Sequence, residues 1–181
     1  MIEIKSQIER KILNYFFINP QKSHYINELA VILEVDVGNL HRKLKELEAK
    51  KWLISEARGR EKYYSLNKNY PLLKEIKKIF EAEYGLEEKF KEILKNIKGL
   101  DEAYIYGSFA RGKMNEESDI DILLIGNHSF SEISGLIMPL EKSIGREINI
   151  IDMTEKEFRE RKRKKDEFIA DIFKNPVIKI K

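Results

Sequence analysis

The sequence predicts an α+β protein made of two small modules joined by a helical segment, and three observations lead to this prediction. A chain of 181 residues has room for one large domain or two small ones. Apolar residues recur at helical spacing through the first half, whereas after Gly99 short strand-like apolar runs alternate with helical stretches. The balance of charge also changes, because residues 1–69 carry 13 basic and 9 acidic side chains, whereas residues 100–181 carry 14 and 16. We therefore expect domains at 1–69 and 100–181, with a helical connector over 70–99.

The first module is predicted to begin with three helices. Apolar residues recur every four positions over residues 4–16, which predicts a helix that ends before Pro20. Asn27 is a suitable N-cap for a second helix. After a short turn over residues 34–38, the leucines of residues 40–47 predict a third helix with one apolar face.

Two strand-like runs follow the helices and predict a hairpin. They span residues 52–55 and 62–66, and Gly59 between them supplies the turn conformation. This order of parts resembles the winged helix-turn-helix of small prokaryotic transcription regulators, with the hairpin as the wing. The resemblance implies a partner of double-stranded DNA and a homodimer on paired half-sites.

Basic residues are concentrated in the third helix and the hairpin. Residues 39–62 hold eight basic side chains against four acidic ones. By this resemblance, the candidate DNA contacts are the residues that face away from the predicted core. These candidates are Asn39, His41, Arg42, Lys45, Arg58 and Arg60. The alternative is that these charges only solvate the surface and that the module mediates dimerisation.

The rest of the chain is predicted to be helical up to residue 97, with an interruption near Gly85, and then mixed. The later elements are strands at 103–106, 120–125 and 147–151, a helix at 132–144, and a long charged helix opened by a capping box at Thr154.

Two short motifs in the C-terminal module carry its chemistry. Asp119 immediately precedes a predicted strand, and Asp121 lies within it. Because the two residues are two apart, both carboxylates face the same side. Two adjacent carboxylates repel unless a cation lies between them, and oxygen ligands with open positions suit Mg²⁺, or Mn²⁺, bound to phosphates. Upstream, Gly107 permits close backbone approach and Ser108 can bind a phosphate.

Two basic residues follow this turn, and they complete the candidate nucleotide-binding set. Arg111 offers a bidentate phosphate contact and Lys113 a point charge. A Gly-Ser turn followed by an Asp-x-Asp strand resembles the minimal nucleotidyltransferases of the DNA polymerase β superfamily, over residues 100–152. The resemblance implies a nucleoside triphosphate substrate, two Mg²⁺ ions and release of pyrophosphate.

The third carboxylate of that family is missing from the expected position. The resemblance aligns Asn149 with it, and asparagine carries no charge and cannot accept a proton as a base. Glu147 lies on the same face one step earlier in the strand and has a longer side chain. Two alternatives therefore stay open: a nucleotide binder with impaired transfer, or an enzyme that uses Glu147.

The function that these patterns favour is a DNA-binding regulator whose C-terminal domain binds Mg²⁺ and a nucleotide. The alternative is an active transferase that adds a nucleotide to a protein, as an antitoxin does, or to a nucleic acid or small molecule. A third possibility is a dimerising adaptor without a ligand. No segment approaches the roughly 20 apolar residues of a membrane span, so a soluble, cytoplasmic protein without a membrane partner is expected.

Overall fold

The computed structural model describes residues 4–181, and these residues form two compact units. One unit ends at Leu86 and includes Lys142–Gly145, and the other contains Glu87–Glu141 and Arg146–Lys181. The domain limits expected from the sequence remain a prediction. Within the described residues, none of the helices has the length and apolar character needed to cross a membrane.

Helices and a small sheet alternate in the first unit. Its elements are α1 (Gln7–Ile18), β1 (Ser23–Tyr25), α2 (Ile26–Leu33), α3 (Val37–Ala49), β2 (Leu53–Arg58), β3 (Glu61–Leu66) and α4 (Leu73–Tyr84). The three strands form an antiparallel sheet in the order β1-β3-β2. One apolar core runs from α1 to α4, so the helices and the hairpin share their buried side chains.

Helix α3 is set by its cap and by its leucines. The Asp36 carboxylate accepts a hydrogen bond of 2.9 Å from the Asn39 N–H, which satisfies a free donor at the helix start. Leu40, Leu44 and Leu47 are fully buried on one face, as their spacing predicts.

The structure differs from the predicted first unit at the start of α2. Tyr25 is the N-cap, and Asn27 lies inside the helix, so the prediction that Asn27 is the cap is wrong. The reason is strand β1, which pairs with β3 and delivers the chain to the helix two residues earlier. Glu28 contributes to this helix start by accepting a hydrogen bond of 3.4 Å from the Tyr25 N–H.

The remaining elements build a mixed sheet flanked by helices. They are α5 (Leu86–Leu94), β4 (Leu100–Tyr106), α6 (Gly107–Ala110), β5 (Ile120–Gly126), α7 (Phe130–Ile144), β6 (Ile148–Met153), α8 (Glu155–Arg163), α9 (Glu167–Lys174) and β7 (Ile178–Lys179). The sheet order is β6-β5-β4-β7, in which β5 and β6 are parallel and the other pairs are antiparallel. A mixed α+β fold with a small mixed sheet is therefore confirmed.

The C-terminal helix is shorter than the sequence predicts. Thr154 caps it as expected, accepting from the Glu157 N–H at 3.1 Å, but α8 already ends at Arg163. Lys165 has a positive φ of 55°, and Asp166 then caps the separate helix α9. The basic run over residues 159–165 therefore lies mostly in α8 and not in the final helix, and the left-handed Lys165 at its end separates α8 from α9.

One face of the sheet packs against the last two helices. Leu123 and Ile125 of β5 lie on this face with Met153 of β6, and they pack against Ile169 and Ile172 of α9. Because side chains two apart on a strand share a face, this apolar cluster continues directly from the position of Asp121. The sheet face is therefore apolar along its length and acidic at its end.

Candidate active site

The two aspartates of the Asp-x-Asp motif lie at the start of β5. Asp121 is the second residue of the strand, and Asp119 immediately precedes it. Both side chains are partly buried, and neighbouring Ile120 is fully buried on the opposite face. The strand alternation thus points both carboxylates to one side, as the sequence predicts.

Asn149 joins the two carboxylates from the neighbouring strand. The parallel register of β5 and β6 places it directly beside Asp121. Its amide Nδ2 donates a hydrogen bond of 3.3 Å to Oδ2 of Asp119. Asn149 stands where the sequence resemblance places a third carboxylate, and the structure puts it beside Asp121 and in contact with Asp119.

Burial and like charge both act on Asp121. Burial is the largest cause of a raised pKa for this carboxyl, and the negative charge of Asp119 raises it further. A hydrogen bond from Asn149 and the positive charge of Arg111 act in the opposite direction. Two carboxylates on the same side of β5 with one amide donor between them form a negatively charged site, which favours a bound cation.

Gly107 brings the phosphate-binding turn against the carboxylates. It follows β4 with a positive φ of 72°, a conformation that glycine adopts without a steric penalty. A Cβ atom at this position would lie 2.2 Å from Oδ2 of Asp121, closer than any two such atoms can approach. Glycine is thus favoured here for two reasons, and the second shows how closely the turn approaches Asp121.

The other predicted nucleotide-binding residues surround this turn. Arg111 is exposed and near enough for its charge to act on Asp121. The Lys113 N–H donates to the Ser108 carbonyl at 2.9 Å, which closes the loop after α6. Among the described hydrogen bonds and ion pairs, none joins the Ser108 hydroxyl or the Lys113 ammonium to the carboxylates.

Glu147 is not brought into the acidic pair. It is exposed, and its carbonyl accepts from the Ile120 N–H at 3.0 Å, which fixes its backbone just before β6. Across residues 4–181 there is no group of three or more acidic or histidine side chains that could hold a metal ion. The donors present fit one divalent cation on Asp119 and Asp121, and they do not fit a second one.

Arg146 is a site residue that the sequence analysis did not identify. The residue is only 8% exposed, and its guanidinium donates to the carbonyls of Glu116 and Ser118 at 2.8 and 2.9 Å. Asn115 adds a second restraint, because its side-chain oxygen accepts from the Ser118 hydroxyl at 2.9 Å. These bonds hold the loop that leads into Asp119. Nothing in the sequence distinguishes Arg146 from the many surface cations, and only its burial reveals the role.

Tyr106 of β4 flanks Asp121 on the side opposite β6. It pairs with Asp121 across β4 and β5, and its ring packs edge-to-face against Phe168 at 6.3 Å. Burial, together with the charge of Asp121, raises the pKa of Tyr106 to about 12. The phenol is thus a neutral hydrogen-bond donor at physiological pH, and its ring packs against α9 through Phe168.

The basic face of the first unit is partly neutralised by its own acids. Four of its eight cations are ion-paired, namely Lys43 with Glu46, Lys50 with Glu9, Arg58 with Glu56, and Lys62 with Glu48. Arg42, Lys45 and Arg60 are exposed, as are Asn39 and His41. The sequence correctly predicts the outward face of α3, whereas it does not show that Arg58 is paired.

Comparison with known proteins places this site in a family. The family described as polymerase beta, nucleotidyltransferase matches residues 88–173. Two proteins of Methanocaldococcus jannaschii, both provisionally named protein adenylyltransferases, are 40% and 36% identical to the chain. The first match covers 44% of this chain and 76% of the relative, and the second covers 48% and 80%.

Solved structures show a partial likeness. A toxin–antitoxin crystal structure with AMP-PNP is 19% identical with a TM-score of 0.39, over 53% of this chain and 73% of that one. A Sulfolobus solfataricus protein, provisionally named a nucleotidyltransferase, is 27% identical with a TM-score of 0.27, over 41% and 68%.

Proposed function

Because the chain belongs to the polymerase beta nucleotidyltransferase family, we propose that it transfers an adenylyl group from ATP to a hydroxyl group of a protein. The family accounts for nucleotidyl transfer, and the names of the two archaeal relatives suggest ATP and a protein acceptor. This corresponds to the transferase alternative of the sequence analysis rather than to the regulator it favours.

One observation carries the proposal: the Gly107 turn and the acidic pair meet in space. A side chain at Gly107 would collide with Asp121, so a triphosphate on the turn would lie beside both carboxylates. Arg111 is near the same carboxylate and can bind a phosphate oxygen. Asp119 and Asp121 would hold one Mg²⁺ or Mn²⁺ ion, which supplies positive charge for the triphosphate.

The proposed reaction is an in-line displacement at the α-phosphorus. The acceptor hydroxyl oxygen forms a bond to this phosphorus, and the bond from phosphorus to the bridging oxygen breaks. Pyrophosphate leaves with that electron pair, and the hydroxyl proton passes to water. Asn149 cannot take this proton, because an amide is not a base at physiological pH. The chain's own residues therefore act by binding and orienting the triphosphate.

Label transfer tests this function. The chain is mixed with Mg²⁺, the proteins encoded beside it, and ATP labelled on either the α- or the γ-phosphate. We expect covalent label in a protein from the α-position only, and loss of that label in Asp119→Ala and Asp121→Ala. Asp101→Ala is the matched control, because Asp101 is exposed at the far end of β4, away from Asp121.

Two results would argue against the proposal. Label from the γ-phosphate would indicate a kinase. Binding of Mg²⁺-ATP without α-label in any acceptor would instead favour the impaired transferase, a nucleotide-binding protein that senses rather than modifies.

We also propose that the first unit is a winged helix-turn-helix that binds double-stranded DNA. The supporting observation is the outward face of α3, where Arg42 and Lys45 have no acidic partner among the described ion pairs and are exposed. The hairpin tip adds Arg60. Such a unit would direct the transferase to DNA, or would make the chain a regulator as a homodimer.

Fluorescence anisotropy with a random-sequence DNA duplex tests the second proposal. Binding that weakens steeply as salt rises is expected, because cations on the protein displace counterions from the phosphates. Absence of binding at low salt by the folded chain would reject it.

A further inference from the structure

One side chain among the acidic residues is unexplained by adenylyl transfer alone. Asn149 occupies the position where the family resemblance calls for a third carboxylate, beside Asp121 in the strand register. Its Nδ2 lies 3.3 Å from Oδ2 of Asp119 and donates to it. The amide thus supplies N–H hydrogens to the same oxygens that a divalent cation would bind.

We infer that Asn149 restricts this site to a single divalent cation. The inference rests on the proposed nucleotidyl transfer and specifies how many metal ions take part. A carboxylate at residue 149 would give the site three negative charges, enough to neutralise most of the charge on two divalent ions. Asn149 instead gives one neutral carbonyl oxygen at most, and its N–H groups repel a cation.

The Asn149 amide also acts on the repulsion between the two carboxylates. Asp119 and Asp121 carry like charges two residues apart on one side of β5, so they repel each other. A donor shared between them offsets part of the repulsion. Binding of the first cation would then require only a rotation of the Asn149 side chain, which exchanges its N–H for its carbonyl oxygen.

No other acid in the described chain replaces the missing carboxylate. Glu147 is exposed, and residues 4–181 contain no three-membered acidic or histidine group that could hold a metal. Asp152 is also on β6, but it is three residues from Asn149 and so lies on the opposite face of the strand. The limit to one cation therefore depends on residue 149 alone.

Counting bound Mn²⁺ by electron paramagnetic resonance tests the inference without any turnover. The full chain is saturated with α,β-methylene-ATP, in which the bond that transfer would break is replaced by a carbon bridge. We expect one Mn²⁺ ion per chain for the wild type and two for Asn149→Asp, with the spin–spin signal of a close pair only in that variant. Asn149→Ala is the matched control and is expected to keep one ion.

The outcomes separate this inference from the proposed function. Two ions on the wild type would overturn the inference, and their reduction to one in Glu147→Gln would assign the second ion to Glu147. A single ion on folded Asn149→Asp would also overturn it, because residue 149 would not then be the limit. Failure of every folded variant to bind Mn²⁺ and the nucleotide would instead overturn the proposed function. Circular dichroism of each variant shows whether it is folded.

Discussion

The acidic pair and the basic face of α3 are both charged regions, but they are built in opposite ways. Asp119 and Asp121 are partly buried at the start of β5, where the pairing with β6 constrains the position of their backbone. Arg42 and Lys45 extend from a helix into solvent, where long side chains place their charges only loosely. Position matters in the first region, whereas the number of charges matters in the second.

Because of this difference, the two regions are tested by different kinds of substitution. At the acidic pair, a displacement of one atom should change function without any change of charge. On the basic face, moving a charge to a neighbouring position should have little effect, and removing it should have a graded one. Four predictions test the comparison.

The largest effect is expected for Gly107→Ala. Its Cβ would meet Oδ2 of Asp121 at 2.2 Å, so the turn and the carboxylate must separate. We expect the rate of α-label transfer to fall about a hundredfold, since a displacement near 1 Å costs that much in rate at a positioned site. Mg²⁺-ATP affinity, measured by calorimetry, should fall as well. Gly112→Ala is the control: φ is +64° there, but no atom lies within 4 Å of the added Cβ. An equal loss of affinity in both variants would mean that backbone strain, rather than the contact, is the cause.

A smaller loss is expected for Arg146→Met, which keeps bulk but removes the bonds to Glu116 and Ser118. Two carbonyls would lose a charged donor, at a cost of about 1–3 kcal/mol of unfolding free energy each at most. Mn²⁺ affinity should fall by about tenfold as the loop before Asp119 loosens. Urea unfolding and Mn²⁺ titration measure the two effects. Unchanged Mn²⁺ affinity in a destabilised variant would show that Arg146 supports the fold and not the site.

The basic face should respond in proportion to its charge. Arg42→Ala/Lys45→Ala removes two positive charges from the proposed DNA-binding face, so the dependence of log K on log salt should become shallower by up to about two. Lys74→Ala/Lys78→Ala makes the same change in charge on exposed positions of α4. Anisotropy titrations over a range of salt concentrations compare the two. Identical salt slopes in both variants would mean that another surface binds the DNA, or that only the net charge of the protein determines the affinity.

The smallest effect is expected for Glu48→Gln. Hydrogen bonds from Ser55 and Lys62 lower the pKa of Glu48, so its ionised form stabilises the fold above its ordinary pKa, and this contribution is lost as pH falls through the lowered pKa. At pH 7 the variant should lose less than about 1 kcal/mol, since the pair is partly exposed. Denaturation at pH 7 and below pH 4 checks the sign, because the difference should disappear in acid. DNA affinity should rise slightly as Lys62 is released.

Much of the molecule could be predicted from local patterns. The leucines of α3 recur at helical spacing, which predicts their buried face. The apolar periodicity is interrupted near Gly85, and α4 ends there. The Asp-x-Asp spacing is equally local, because strand alternation alone points Asp119 and Asp121 to the same side. These features need no knowledge of what packs against them.

Other features depend on contacts between distant parts of the chain, and the sequence could not show them. Strand β1 forms only because β3 is beside it, and it moves the α2 cap from Asn27 to Tyr25. The division of the C-terminal charged segment follows from a left-handed Lys165, which no propensity scale favours.

The sequence by itself determined the chemistry of the site: two carboxylates, a glycine turn upstream and an amide where a third carboxylate is expected. Only the tertiary structure decided which of these meet. The parallel register of β5 and β6 puts Asn149 beside Asp121, where its amide also bonds to Asp119, and the buried Arg146 holds the loop that leads into the pair. The physical reason is that residue type and spacing fix what a side chain can do, whereas strand pairing and burial fix its neighbours.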